Sequence, residues 1–398
     1  MKVLLIDVVC KTGSTGKIVY DLYNELNARG DEAAICYGRG LKINEKNIYK
    51  FGINFETNLH AFLTRITGYT GCFSYFSTRR LIKFIKKFKP DVVHLHEIHA
   101  YFLNYVKLLK FLKKENIKVI HTLHCNFSYT GKCGYHLECE KWKQECGKCP
   151  RLKEYVSTLL FDHTRKMFLS KKKAFRGFTD MTICCPSNWI AMYAKESFLN
   201  EYPIKVIPNG INTEIFHYKD AKKIRNKYKI TNNEKVVVSV APNIMSQIKG
   251  GKWVLKLAEK MQKENTRFFL IGADDVNFEY PSNVTILGRT NNQEELAEFY
   301  SMADCFLICS EKENFPTTCL EAQCCGTPIC GFDVGGTKET SIFEKNAFVE
   351  FGNIDKLSDA LMQILGDNIN KEQLSERAIL AYSRKTMFEN YYRLYKGN

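Results

Sequence analysis

The amino-acid sequence predicts an α/β protein built from two doubly wound domains, each a parallel sheet covered by helices. Short apolar runs alternate with amphipathic helical segments along the chain, from residues 2–9 to residues 305–309. The first run is followed by a glycine-bearing turn and a helix, which is how a doubly wound sheet begins. The length of 398 residues suffices for two domains, and we expect the boundary near residue 200.

Composition indicates a cytoplasmic protein. No apolar run approaches the ~20 residues of a membrane-spanning helix, and the initial MKVLLIDVV predicts a first strand rather than a signal peptide. Most of the 16 cysteines lie within apolar strands or helices, as Cys184 and Cys185 do. This placement favours buried, reduced thiols over disulfides.

Positive charge is concentrated in the N-terminal half. Residues 1–200 hold 33 Lys and Arg against 17 Asp and Glu, a net +16, whereas residues 201–398 hold 25 against 26, a net −1. Anionic lipid, nucleic acid or a phosphorylated substrate would each match this excess. The segment RRLIKFIKKFK, residues 79–89, has apolar residues at helical spacing with cations opposite. Such a helix either lies on an anionic bilayer or packs its apolar side on the sheet.

The stretch from Cys309 to Thr337 carries the clearest binding pattern. It predicts a polar turn with Glu313, a helix over 316–325 with Pro316 at its first position, and Glu321 within that helix. Free N–H groups at a helix N-terminus suit a phosphate, and a nearby carboxylate suits the vicinal hydroxyls of a ribose. These features suggest a nucleotide-sugar site. The alternative is that both glutamates are solvated residues around an ordinary helix start.

This stretch resembles the donor site of the retaining glycosyltransferases of family 4, which have the GT-B fold. The resemblance rests on two glutamates with seven residues between them, the inserted Asn314-Phe315-Pro316, the strand start Gly326-Thr327-Pro328 and the glycine pair 335–336. It extends to Pro208-Asn209-Gly210-Ile211, which is similar to the interdomain signature of that family. The resemblance covers nearly the whole chain, most strongly residues 200–340.

The resemblance implies two Rossmann-like domains facing a central cleft. The domains would be residues 1–200, with a cysteine-rich insert at 125–150, and residues 201–375, which bind the donor. Residues 376–398 would form a C-terminal helix that returns to the first domain, as part of a helical stretch predicted from Lys371 to Lys396.

The resemblance also implies roles for individual residues. Glu321 would accept hydrogen bonds from the ribose, and Glu313 with the backbone of Asn314, Phe315 and Pro316 would hold the donor sugar. His124, which follows a strand, would contact the donor sugar and stabilise charge during departure. The residues expected to cradle or neutralise the diphosphate are Gly16, Lys249 and Thr317.

One expected cation is missing upstream of Lys249. The family carries Gly-Arg there, whereas this chain has Ala241, Pro242 and Asn243. Either Lys249 and helix N-termini suffice for the diphosphate, or Arg289 in the sequence LGRT compensates.

The predicted function is transfer of a sugar, with retained anomeric configuration, from a nucleotide-diphosphate donor (UDP or GDP) to a hydroxyl. We expect a lipid-linked saccharide acceptor for a cell-surface polysaccharide, contact with the inner face of the membrane, and no nucleic acid partner. No catalytic metal is expected, because there is no Asp-x-Asp pattern and Asp274-Asp275 lacks further ligands nearby. Two alternatives stay open, a sugar-nucleotide epimerase on the same fold and a non-catalytic protein that binds polyanions or membranes.

Four cysteines fall within 17 residues, in the order Cys133, Cys139, Cys146 and Cys149. One C-x2-C pair with two further thiolates can close a tetrahedral zinc site. The spacing matches no standard zinc finger, so free thiols or a disulfide pair are the alternatives to a structural zinc. Among the histidines, His99 lies in a loop from which it can reach an acceptor.

Overall fold

A computed structural model of the chain describes residues 1–273, 277–290 and 292–397. The chain divides into two compact units, the first formed by Met1–Ile207 together with the residues from Asn390 onward, the second by Pro208–Glu389. Both units are Rossmann-like, with a parallel sheet between helices. The predicted fold class, two doubly wound α/β domains, is therefore confirmed.

The first unit contains a parallel sheet in the order β3-β2-β1-β4-β5-β6-β7. Because the chain builds outward from β1 to β3 and then returns to β4, the order reverses between β1 and β4. In doubly wound sheets, ligands bind outside the carboxyl ends of the strands at such a reversal. The strands are β1 Lys2–Asp7, β2 Glu32–Tyr37, β3 Ile48–Lys50, β4 Val92–Leu95, β5 Lys118–Thr122, β6 Met181–Cys185 and β7 Ile204–Val206.

Most helices of the first unit pack apolar side chains into the core they form with this sheet, whereas the buried residues of α2 are Thr57, His60 and Thr64. In α3, which contains the basic segment 79–89 up to Phe88, the side chains of Leu81, Ile85 and Phe88 are buried. The interpretation in which this apolar side lies on a bilayer is therefore wrong, and the sheet covers it instead. The helices are α1 Gly13–Ala28, α2 Asn54–Thr67, α3 Tyr75–Phe88, α4 Tyr105–Lys114, α5 Thr164–Phe175 and α6 Asn188–Glu196.

The second unit has a parallel sheet in the order β10-β9-β8-β11-β12-β13. Its order reverses between β8 and β11, so the loops after these two strands meet at one edge. The strands are β8 Lys235–Val240, β9 Thr266–Ile271, β10 Val284–Leu287, β11 Cys305–Ile308, β12 Ile329–Phe332 and β13 Ala347–Val349. The helices are α7 Lys222–Lys227, α8 Gly251–Lys260, α9 Gln293–Met302, α10 Thr317–Cys324, α11 Ile354–Gly366, α12 Lys371–Tyr382 and α13 Arg384–Lys396.

Two helix predictions need correction. Pro316 is the cap of α10 rather than its first helical residue, because its ψ of 120° is extended. The last stretch forms two helices instead of one, because Ser383 leaves the helical conformation and pairs in parallel with Ile211. The Arg384 N–H then donates to the Ile211 carbonyl at 2.8 Å, a contact between distant residues that no local pattern reveals.

The end of α13 belongs to the first unit. The Tyr395 hydroxyl lies 2.8 Å from His94 Nδ1, and the Tyr391 hydroxyl lies 2.9 Å from Thr122 Oγ1. Both tyrosine rings are buried. Across the described residues, no helix combines the length and the apolar character needed to cross a bilayer.

Candidate active site

An ion pair joins the two loops that meet at the sheet reversal of the second unit. Lys249 ends a short 3-10 turn after β8, and Glu313 lies in the turn after β11. Lys249 Nζ donates to Glu313 Oε1 at 2.7 Å, with the two side chains 30% and 12% exposed. A partly accessible cation is thus held at a defined position beside a carboxylate.

Two glycines allow the neighbouring backbones to approach this turn. Gly250 has a φ of 73°, and a Cβ there would lie 1.9 Å from the Cys309 carbonyl oxygen. Gly335 has a φ of 60°, and a Cβ there would lie 1.8 Å from the Glu313 carbonyl oxygen. Any side chain at either position would therefore push the loops apart. The glycine turn singled out in the sequence thus packs directly against Glu313.

The inserted Asn314-Phe315-Pro316 is buried rather than solvated. Asn314 and Phe315 are each 6% exposed, and Asn209 Nδ2 donates to the Phe315 carbonyl at 3.2 Å. The insert leads directly into α10, which begins at Thr317 without a side-chain cap. The Cys319 N–H donates to the Pro316 carbonyl at 3.1 Å, and the first N–H groups of a helix present positive potential. This arrangement suits an anion such as a phosphate.

Glu321 lies on α10 and is only 8% exposed. Its Oε2 accepts a hydrogen bond from the Tyr300 hydroxyl at 3.1 Å. Burial, together with the charge of Glu321, raises the pKa of Tyr300 well above its usual value. Tyr300 therefore stays protonated and orients the carboxylate. The alternative in which both glutamates are solvated surface residues does not fit this burial.

The remaining residues predicted for the donor lie elsewhere. Arg289 is exposed in the loop after β10. Gly16 is buried within α1, where a Cβ would come within 3.0 Å of the Val9 side chain, so its small size also has a packing role. Asp274-Asp275, considered for a metal, lies outside the described residues.

His124 lies in the first unit, just after β5. Its Nε2 is 3.0 Å from His96 Nδ1, and the two rings are stacked. Burial lowers the pKa of His124, although the charge of Glu97 opposes this shift. His124 is thus a neutral imidazole near neutral pH, in which one ring nitrogen donates a hydrogen bond and the other accepts one.

A compact cluster of Glu97, His99 and Cys125 follows β4 and β5. Its potential ligand atoms all lie within 4.8 Å of one another. His99 Nε2 forms an ion pair with Glu97, and Cys125 Sγ lies 3.6 Å from Glu97 Oε2. The other His99 nitrogen lies 3.2 Å from the Tyr155 hydroxyl. We refer to these four residues as the Glu97 cluster.

The charges of the Glu97 cluster are set by their mutual contact. Burial alone raises the pKa of Glu97, but the charge and hydrogen bond of His99 outweigh it and bring this pKa down to about 2. Burial lowers the pKa of His99, but Glu97 outweighs it and holds this pKa well above its usual value. Near neutral pH the pair is therefore a carboxylate and an imidazolium.

Asp7, at the end of β1, completes this edge of the first sheet. The Glu97 N–H donates to Asp7 Oδ1 at 3.0 Å. Burial, and then the charge of Glu97, raise the pKa of Asp7 to about 7. Two carboxyl groups thus lie at the reversal between β1 and β4, one ionised and one partly protonated near neutral pH.

Sequence reasoning identified His99 and missed Asp7, Glu97, Cys125 and Tyr300. The available signal was their position, since the first three lie at the carboxyl ends of β1, β4 and β5. This proximity was not predictable, because only the strand order of the folded sheet shows that these strands are neighbours.

The four clustered cysteines line one pocket of the first unit together with His136. All 16 cysteines, each within the described residues, are free thiols. The disulfide alternative for this loop is therefore not the state in this structure. Cys133 and Cys149 share a thiol hydrogen bond that lowers the pKa of Cys149 to about 6.

Two family models match the chain. The model described as Glycosyltransferase Family 4 matches residues 15–215, about half of the chain. The model described as Glycosyl transferases group 1 matches residues 220–380. The matches thus follow one another along the two structural units.

Similar proteins include a colanic acid biosynthesis glycosyl transferase, WcaC, of Escherichia coli K12. It is 24% identical over 325 residues, which are 77% of this chain and 76% of WcaC. Escherichia coli UDP-Gal:alpha-D-GlcNAc-diphosphoundecaprenol alpha-1,3-galactosyltransferase is 21% identical over 287 residues, 66% of this chain and 70% of that protein. The crystal structure of Anabaena HepE in complex with UDP-glucose has a TM-score of 0.67 at 13% identity, covering 100% of both chains. At this identity the structural likeness concerns the fold, which is GT-B.

Proposed function

Because the chain belongs to the glycosyltransferases that these two family models describe, we propose that it is a retaining enzyme of polysaccharide biosynthesis. It moves a sugar from a nucleotide-diphosphate donor to a hydroxyl of a lipid-linked saccharide. The acceptor class is supported by the galactosyltransferase relative, whose name specifies a diphosphoundecaprenol acceptor. UDP is supported as the donor nucleotide by that name and by the UDP-glucose complex of HepE, and GDP stays the second option.

The observation that carries this proposal is the Lys249–Glu313 ion pair. It places Lys249 against the turn that leads to the uncapped N-terminus of α10. The helix N–H groups and Lys249 Nζ provide donors for the diphosphate of a nucleotide sugar. In our proposal Glu313 holds hydroxyls of the sugar, and Glu321, oriented by Tyr300, accepts from the ribose. The roles predicted for Gly16, His124, Arg289 and Thr317 stay predictions.

Departure of the nucleoside diphosphate creates negative charge that the protein must stabilise. We propose that Lys249 and the N-terminus of α10 supply this stabilisation, without a catalytic divalent ion. Binding of the phosphate would draw Lys249 from Glu313 and release that carboxylate for the sugar. Activity that EDTA abolishes and Mg²⁺ or Mn²⁺ restores would contradict metal independence.

For the acceptor we propose the Glu97 cluster as the binding group in the first unit. A carboxylate that stays ionised accepts hydrogen bonds from sugar hydroxyls. His99, held at its two nitrogens by Glu97 and Tyr155, orients this carboxylate toward the saccharide, while other cations of the first unit face the pyrophosphate of a lipid-linked acceptor. The net charge of +16 over residues 1–200 favours the same anionic class of acceptor.

We further propose that the first unit contacts the inner face of an anionic membrane through an exposed apolar surface. Three segments contribute: α2, the start of α3, and the loop 159–161. They are joined by hydrogen bonds, since Glu56 accepts from the Phe76 N–H at 2.8 Å and the Leu159 N–H donates to the Arg65 carbonyl at 2.7 Å. The exposed side chains are Phe55, Leu59, Phe62, Tyr75, Phe76, Leu159, Leu160 and Phe161. Such a surface with basic neighbours suits the headgroup region of an anionic bilayer.

A donor screen followed by turnover tests the proposal. Thermal shifts with UDP-, GDP- and ADP-sugars identify the donor, because a ligand that binds the folded state raises its stability. The identified donor is then incubated with a lipid-diphosphate saccharide, and the anomeric configuration of the product is read by NMR. We expect a glycosylated lipid with the configuration of the donor. An inverted product contradicts retention, isomerised donor without acceptor identifies an epimerase, and no shift with any donor contradicts the enzyme proposal.

A further inference from the structure

The cysteine-rich segment between β5 and α5, residues 123–163, is folded with little regular structure. Every residue of it is described, and its regular structure consists of two 3-10 turns, Asn126–Tyr129 and Lys141–Lys143. Trp142, within the second turn, is 1% exposed and anchors the segment by its ring. A segment of this length without helices or strands needs cross-links other than an apolar core.

Two buried lysines supply part of that cross-linking. Lys132 Nζ donates to the carbonyls of residues 152, 154 and 156 at 2.8–3.0 Å. Lys171 Nζ donates to the carbonyls of residues 127 and 130 at 2.6 and 2.9 Å, and lies over the Phe127 ring. These hydrogen bonds fix both ends of the segment. They do not cross-link its middle part, which carries the cysteines.

The middle of the segment closes around one pocket that all four cysteines line. These are Cys133, Cys139, Cys146 and Cys149, which are spread over 17 residues of the chain. Among the described residues, no three of their sulfurs lie within 4.8 Å of one another, so binding an ion would draw them closer. His136 lines the same pocket, and its buried Nε2 has no hydrogen-bond partner among the described residues.

We propose that Cys133, Cys139, Cys146 and Cys149 bind one structural Zn²⁺ per chain. Four thiolates satisfy the tetrahedral preference of zinc and complete the coordination shell, so the ion has no open position for catalysis. On binding, each thiol loses its proton to solvent and forms a zinc–sulfur bond. The site is separate from the Lys249–Glu313 pair and does not depend on the proposed function.

The surroundings of the pocket suit such an ion. A zinc with four thiolates carries a net charge of −2, and two lysines, Lys132 and Lys141, line the pocket to offset it. The Gly131 N–H donates to Cys146 Sγ at 3.2 Å, which is the kind of outer contact that orients a metal ligand. His136 Nδ1 lies 2.8 Å from the Leu137 carbonyl, which leaves Nε2 as the alternative fourth ligand.

The test is the metal content of the full chain, purified under reducing conditions without chelator or added metal. Elemental analysis is expected to find one zinc per chain in the wild type and less than a tenth of that in Cys146→Ser and Cys149→Ser. Replacement by Co²⁺ is expected to give the visible bands of tetrahedral thiolate coordination. The matched control is Cys72→Ser, since Cys72 is also partly exposed but lies outside the segment, and it is expected to keep its zinc.

The outcomes separate the alternatives. A wild-type chain without zinc that also fails to take up Zn²⁺ or Co²⁺ alone overturns the proposal, as does zinc retained by Cys146→Ser. His136→Gln is expected to keep the metal. If it loses zinc while Cys139→Ser keeps it, the four-cysteine ligand set is wrong. Should a cysteine variant misfold, alkylation of the wild type decides, because bound zinc protects these four thiols until a chelator is added.

Discussion

The two candidate sites of this protein are built in opposite ways. In the second unit, the Lys249–Glu313 pair is partly exposed and comes from loops whose backbones touch through glycines. In the first unit, Asp7, Glu97, His99 and Cys125 lie at or just after the ends of three strands, with Asp7 and Glu97 buried. Tyr155 comes from a loop and is 55% exposed. A ligand can therefore replace one partner of the Lys249–Glu313 pair, whereas the charges of Glu97 and His99 are stabilised by each other.

This difference separates what each site can do. A partly exposed ion pair contributes less to stability than a buried one, so Lys249 and Glu313 can change partners when a donor binds. A buried ion pair is costly to break, because the remaining charge has no partner. We therefore expect variants of the second-unit site to lose activity with little change in stability, and variants of the first-unit cluster to change both.

The largest expected effect is that of Glu313→Gln. The variant keeps the shape of the side chain but removes the charge that holds Lys249, and kcat/KM should fall by about 100-fold or more. Steady-state kinetics with saturating acceptor measures it. Glu311→Gln, in the same turn, is the control and should retain activity. A Glu313→Gln enzyme with undiminished turnover would remove the basis of the donor site.

The second-largest expected effect concerns Asp7 and the pH dependence of the free energy of unfolding. Its pKa rises from 3.8 to about 7 on folding, so the folded state binds this proton more tightly than the unfolded chain. The free energy of unfolding should therefore fall as pH rises from 4 to 7, by about 2–4 kcal/mol. Asp7→Asn removes this part of the pH dependence, and denaturant unfolding at pH 5 and pH 8 measures it. Asp359→Asn, exposed on α11, should leave the dependence as in the wild type, and an unchanged profile in Asp7→Asn would refute the assignment.

A smaller effect is expected for Glu97→Gln. Loss of the carboxylate leaves His99 without its ion partner, and the KM for the acceptor should rise by about tenfold, near 1.4 kcal/mol, while the KM for the donor stays constant. Kinetics with each substrate varied in turn measure the split. Glu115→Gln, exposed just after α4, controls for charge in the first unit. A rise in the donor KM instead would assign the cluster to the wrong substrate.

The smallest effect is that of Phe55→Ser combined with Phe62→Ser. Both rings are exposed on α2, at 77% and 57%, and their loss should weaken binding to anionic liposomes by about threefold. Co-sedimentation at low salt measures it. Leu380→Ser, also 77% exposed but in the second unit, should bind as the wild type does. Equal binding by all three proteins would contradict the membrane contact.

The pairing of Glu313 with Lys249 in the second-unit site was not predictable from the sequence, since 64 residues separate them. The part of the site around α10 was more predictable, because its residues are near neighbours in the chain. Glu313, the buried insert and Glu321 fall within nine residues, so spacing alone describes their arrangement. The Glu97 cluster was not predictable, since Cys125 looks like any other buried cysteine until β4 and β5 are known to pair.

Two features of the fold depend on distant partners in a similar way. The amphipathic pattern of α3 is the same whether its apolar side meets lipid or a sheet, and only the structure shows Leu81 fully buried. The break at Ser383 depends on pairing with Ile211, while the sequence around it favours continuous helix. In both cases the deciding partner is far away in the chain.

The lysine contacts of the cysteine-rich segment have a consequence for how this loop can vary. Lys132 and Lys171 are held by backbone carbonyls, and every residue type carries that group. The side chains around these two lysines are therefore free to change without loss of the cross-links. The Tyr155 hydroxyl lies 3.2 Å from His99, and the carbonyls of its two neighbours in the chain accept from Lys132. We therefore expect substitutions near Tyr155 to change the choice of acceptor without loss of these hydrogen bonds.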